Sequence, residues 1–118
     1  MYAHSLFSIV METGSAVRTL TREMRDENEL FASSLTLRAV EAHLLIMAHT
    51  LAQMPPEIHR TLLEVDWNGW QVLHDRLRNG IQPRREEIWY AVNALVPQTV
   101  FLLESLRHRQ PGLFPSNF

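Results

Sequence analysis

Six polar residues lie within fifteen positions of one another in the stretch "DWNGWQVLHDRLRNGIQPRREEIW" from Asp66 to Trp89. They are His74, Asp75, Arg76, Arg78, Arg84 and Arg85, reading from the first edge of that stretch to its second half, and Asn79 joins them at the turn. On a helical wheel Trp67, Trp70, Leu73 and Leu77 share one arc, with His74 on its border and Arg78 one turn beyond on the same edge. A histidine can take a proton from a ribose hydroxyl, and an arginine at that spacing can steady the phosphate beside it. Those two functions suffice for metal-independent RNA cleavage. The same residues also suit a quieter role. His74 then sits as a half-buried edge residue beside Trp70, and Arg78 pairs with Asp75 or with solvent. "QPRREE" divides in the same way, into an RNA contact through Arg84 and Arg85, with Arg76 beside them, or an exposed helix start whose two arginines face two acids.

Other chemistries find less support. The pairs Glu104–His108 and His43–His49 do not form the two Glu-x-x-His sets that a di-metal helical bundle requires. No glycine-rich phosphate loop and no serine flanked by glycines occurs. The chain has no cysteine, so it has no thiolate nucleophile, thiolate zinc site or disulfide framework. No metal and no cofactor is expected.

The elements that must position the polar row are legible from periodicity. Leu6, Val10, Thr13, Val17, Leu20 and Met24 step by three and four, which marks a first helix packed along a seam. Asp26 with Glu29 has the form of a capping box and predicts the start of a second long helix. Its seam is Leu37, Val40, Leu44, Met47, Leu51 and Met54, widened by Leu30, Phe31, Leu35 and Leu45. Pro55 and Pro56 end it, and a short helical piece, "EIHRTLLEV", follows. Asp66 caps a third helix anchored by Trp67 and Trp70, and Asn79-Gly80 stops it. Gln82-Pro83 opens the last long helix, with Glu86 and Glu87 in its first turn and Ile88 or Trp89, Val92, Leu95 or Val96, Val100, Leu103 and Leu106 along its stripe. Pro97 removes the donor that the Asn93 carbonyl would use, which predicts a bend. Phe101 and Leu102 lie off that stripe, so a further helix or a partner subunit should cover them. The tail from Gln110 to Phe118 is rich in breakers and should wrap or fray.

No segment alternates as a half-buried strand does. The expectation is one all-α domain over residues 1–118, an up-down four-helix bundle with a short extra helix between the second and third long helices. At 118 residues the chain is long enough for one core. Its net charge of −2 supplies no global field for nucleic acid, so any RNA contact must use a local patch. All 11 basic residues are arginine. Glu12 interrupts the only apolar run near the start, so no secretory signal and no membrane span is expected, and a cytoplasmic location follows.

The order of these signals resembles the HEPN superfamily, in its HepT-like branch. The residues that carry the resemblance are "LTLRAVEAHLLIMAHTL", then Pro-Glu, then "DWNGW", a polar loop and "EIWYAVNALVPQTVFLLESL". Ala39-Val40, Trp67, Trp89 and Val96-Pro97 stand where that branch places an Ala-Val, a Trp before the catalytic segment, and a Trp followed by Leu-Pro. The resemblance runs from about Leu6 to Leu106. It implies a helical bundle that dimerises and brings two Arg…His ribonuclease motifs into one cleft. It further implies toxin–antitoxin ancestry, with a small nucleotidyltransferase that adenylylates a Tyr just after the motif His. In this chain the motif Arg falls on His74, the Asn after it on Asp75, the motif His on Asn79 and the Tyr near Ile81, while the Gly-Glu of the second helix reads Ala48-His49. Three expectations follow. The first is a dimerising, partner-binding protein without the standard motif. The second is a divergent endoribonuclease using His74 and Arg78, with Asn79, across a dimer cleft. The third is a structural bundle alike only in architecture.

Overall fold

The computed structural model describes residues 2–115. Among them every regular element is helical and no strand occurs, as the periodicity requires. The long first helix, α1 (Tyr2–Thr21), ends before Met24, which continues the seam from the turn beyond it. Asp26 caps α2 (Glu27–Ala32), its carboxylate accepting the Glu29 backbone N–H at 3.1 Å.

The helix that begins at Asp26 does not run on as one rod. Ser33 leaves helical geometry (φ −110°, ψ 89°) and separates α2 from α3 (Ser34–Ala52). Its hydroxyl donates to the Thr36 hydroxyl at 2.9 Å, and hydroxyl side chains that bond locally compete with a continuous helical ladder. The break turns Leu35 out of the expected stripe, to 78% exposure, while Leu30, Val40, Leu44, Met47 and Leu51 are fully buried.

Pro56 stands in the first turn of α4 (Pro56–Thr61), and Asp66 caps α5 (Trp67–Arg78) by accepting the Gly69 N–H at 2.9 Å. Gly80 takes the left-handed conformation (φ 70°) that ends α5, a position a side chain would strain. Pro83 lies just outside α6 (Arg85–Tyr90) instead of opening it. Pro97 is accommodated without a break: a π-helical turn, Ala91–Leu95, widens the backbone ahead of it, and α7 (Val96–Arg109) continues with Pro97 in its first turn. The wider turn carries the Val96 N–H to the Ala91 carbonyl, five residues back, which relieves the pattern the proline ring would otherwise obstruct.

α3 packs between α1 and α5, and α7 lies along α1. Trp70 is buried in the centre, and its Nε1 donates to the Thr99 hydroxyl at 3.0 Å, joining α5 to α7 inside the core. Trp67 is half-buried; its Nε1 donates to the Leu62 carbonyl at 2.8 Å and its indole stacks on His59 at 4.0 Å. Trp89 is also half-buried against the core. The tail wraps: a 3-10 turn, Pro111–Leu113, returns Phe114 to the core against Phe7, with ring centroids 5.4 Å apart. The last part of the tail, residues 116–118, lies outside the described residues. No helix among the described residues is long and apolar enough to cross a membrane.

Candidate functional site

The polar edge of α5 is built by a helix that both ends hold firmly. The Asp66 carboxylate fixes the start, and it also accepts a hydrogen bond from the Tyr90 hydroxyl at 3.3 Å, reaching across from α6. Burial pushes the Tyr90 phenol above its ordinary value, and the charge and hydrogen bond of Asp66 push it the same way. At the other end the Asn79 side chain donates to the Asp75 carbonyl at 2.7 Å. Asn79 therefore serves as a cap, where the resemblance places the motif histidine.

His74 is buried rather than half-exposed on an edge, with 8% of its surface accessible. Its ring stacks on that of His49 from α3, centroids 5.7 Å apart and planes 21° from parallel. Its Nδ1 is buried and has no hydrogen-bond partner among the described residues. The nearest carboxylate oxygen, on Asp75, is 3.7 Å away, beyond hydrogen-bond reach, and it accepts from Gln71 Nε2 at 2.9 Å instead.

The arginines disperse. Arg76 forms an ion pair with Glu87 of α6. The Glu87 carboxylate also accepts the Arg84 backbone N–H at 3.1 Å and lies 3.4 Å from Arg84 Nε. Burial raises the Glu87 carboxyl, but the Arg84 hydrogen bond and the charges of Arg76 and Arg84 outweigh it and hold the group below its ordinary value. Arg85 makes no ion pair among the described residues; it donates to Asn28 at 2.6 Å and covers the Phe31 ring at 4.8 Å. Arg78 is exposed and makes no ion pair among the described residues. Thus Arg76 and Arg84 share one carboxylate, Arg85 ties α6 to α2 through neutral groups, and Arg78 is exposed without an ion pair among the described residues. Among the described residues no three His, Asp or Glu side chains are grouped to hold a metal ion.

Two openings lie elsewhere. A cavity of about 270 Å³ runs beside Trp67 and Trp70, between α3, α4 and α5. The larger opening, about 590 Å³, is a cleft between α1 and the last helix, lined by Gly14, Arg18 and Arg22 on one wall and by Val96, Val100 and Glu104 on the other. Gly14 permits the close approach that forms its floor, since a β-carbon there would lie 2.7 Å from Val100 Cγ2. The signals for this cleft were in the sequence as small residues on α1 and a second apolar face on α7, but motif reading concentrates on α5. Comparison of the chain with protein-family models, with curated proteins and with solved structures gave no match.

Proposed function

We propose that the chain is a HepT-like HEPN protein, its long helices forming an up-down four-helix bundle, that no longer cleaves RNA and acts by pairing with itself and with a protein partner. The observation that carries this reading is the burial of His74 against His49, at the position where the resemblance places the first catalytic residue. Asn79, at the second position, is committed to capping α5. A general base needs access to the hydroxyl it deprotonates, and a nuclease needs cationic groups converging on one phosphate. The burial of His74 and the sharing of Glu87 by Arg76 and Arg84 both favour the binding reading. The kinship itself rests on the order of sequence signals from Leu6 to Leu106. In that ancestry the partner is a small nucleotidyltransferase.

The divergent-nuclease reading has one foothold, the partnerless Nδ1 of His74. Both readings separate in one assay. Purified protein incubated with structured and single-stranded RNA should release no more fragments than the variants His74→Ala and Arg78→Ala. Arg78 is exposed, so its variant folds independently of any packing loss at His74. Cleavage by the wild type that both substitutions abolish would overturn the binding-protein reading.

A further inference from the structure

The cleft between α1 and α7 carries a charge pattern of its own. Its ionisable lining residues are Arg18 and Arg22 on one wall and Glu104 on the other. The Arg22 N–H donates to the Arg18 carbonyl at 2.8 Å, so the helical turn continues past Thr21 and sets the two arginines one above the other on one face. Both are exposed, and neither makes an ion pair among the described residues. Like charges at that spacing oppose one another, and an anion held between them removes the opposition.

The two helices run antiparallel. Arg107 near the end of α7 covers Phe7 near the start of α1 at 4.9 Å, and Gly14 meets Val100 further along. Arg18 lies four residues beyond Gly14 and Glu104 four beyond Val100, which in an antiparallel pair are opposite directions. The helical rise then sets the basic and acidic ends about 12 Å apart along the cleft. Between them the wall is apolar: Val96 is buried, Val100 is half-buried, and Phe101 stands on the rim at 66% exposure. Val92 and Asn93, ahead of α7 and so toward the basic end, belong to the π-helical turn, a backbone form frequent at functional sites.

We infer that this cleft binds an amphipathic small molecule, an aliphatic monocarboxylate, with its head between Arg18 and Arg22 and its chain laid along Val100 and Phe101 toward Glu104. The inference depends on neither the kinship nor the self-pairing proposed above. A volume of about 590 Å³ lies within the range of small-molecule sites. Two cations and one acid leave the lining with one net positive charge, which a monoanion balances and a phosphate dianion overshoots. A guanidinium presents its N–H groups as a fork that matches a carboxylate. The chain withdraws Phe101 and Val100 from water, and its own methylenes with them. Glu104 sets the direction, because a reversed ligand would bring its carboxylate against an acid.

The test is isothermal titration calorimetry of the full chain with decanoate, octanoate and decanedioate, all kept below micelle-forming concentrations, with circular dichroism to verify that each variant folds. Decanoate, whose extended chain matches the distance between the two ends, should bind. Octanoate should bind about threefold or more weakly, since fewer methylenes leave water. Arg18→Gln and Arg22→Gln should each weaken decanoate by about fivefold or more, as loss of a charge-assisted hydrogen bond does. Ser15→Trp keeps all three charges but fills the cleft from an exposed position, and should weaken decanoate at least as much. Decanedioate should bind more weakly than decanoate, because its second carboxylate meets Glu104. Glu104→Gln should tighten decanedioate by about threefold or more while leaving decanoate within about twofold. A wild type that does not bind decanoate overturns the inference, and so does binding that Arg18→Gln and Ser15→Trp leave unchanged. Equal affinity for octanoate and decanoate overturns the apolar seat of the chain. A Glu104→Gln variant that treats the two long ligands as the wild type does overturns the orientation.

Discussion

Glu87 shows how a single side chain can redirect a whole patch. Its carboxylate takes Arg76 from α5 and the backbone and side chain of Arg84, so one acid fixes the direction of two of the cations near the α5 edge. Because the carboxyl is held below its ordinary value in the folded chain, it contributes stability above its unfolded value, and that contribution is lost as pH falls through the folded value. Glu87→Gln should therefore cost about 0.5–1 kcal/mol in urea unfolding at neutral pH, a figure limited by solvent screening of a partly exposed pair. The difference from wild type should vanish in acid; a gap that persists at acid pH would mean the loss is one of packing instead. Trp70 acts at the same scale through burial. Trp70→Ala should destabilise by about 3–5 kcal/mol, as large core truncations do. Trp70→Phe keeps most of the apolar bulk but strips Thr99 of its indole donor, and should cost about 1–2 kcal/mol by thermal or chemical unfolding. Equal losses in the two variants would show that the hydrogen bond, rather than the indole's volume, holds α5 to α7.

At the level of elements, what could be read from the sequence was whatever is decided within a few residues. The Asp26 and Asp66 caps, Pro56 in the first turn of α4 and the Gly80 stop all sit where local chemistry puts them. What escaped reading depends on contacts distant in sequence, or on small competitions between nearly equal local states. The Ser33 break sets one hydroxyl's bond against one turn of helix, and at Pro97 the proline ring is met by a π-helical turn in the residues just before it. The burial of His74 needed His49 of α3, 25 positions earlier in the sequence, and the pairing of Arg76 needed Glu87 across a turn. The α5 cap is the element most open to test. Asp66 serves two elements at once, accepting from Gly69 within α5 and from Tyr90 in α6. Asp66→Ala should cost about 1–2 kcal/mol, and Tyr90→Phe should cost less. In the double variant the losses should fall short of their sum by about 0.5 kcal/mol or more, because both remove the same contact. Strict additivity in that cycle would mean that the Tyr90 hydroxyl does not support the cap.

Across the whole molecule, the helices are closed into one body by the return of the tail. Phe114 is buried, with 4% of its surface accessible, and meets the Phe7 ring edge to face, while Arg107 covers the same ring at 4.9 Å. Two ends of the chain thus meet: the first turns of α1 through Phe7, and the last turns of α7 with the segment after Pro111. That clamp fixes one end of the antiparallel α1–α7 pair, and the Gly14–Val100 crossing sets their spacing further along. The cleft lies between and beyond these constraints, so its shape depends on both. Phe114→Ala should lower stability by about 3 kcal/mol, the cost of truncating a buried aromatic. The loss should also be uneven. Amide hydrogen exchange should quicken most from Ala3 to Val10, where α1 loses its cover, and least in α5, which is held independently through Trp70 and the Asp66 cap. A uniform loss of protection along α1, α5 and α7 would instead mean that the tail supports the core as a single cooperative unit, and that the cleft would open or close only when the entire fold does.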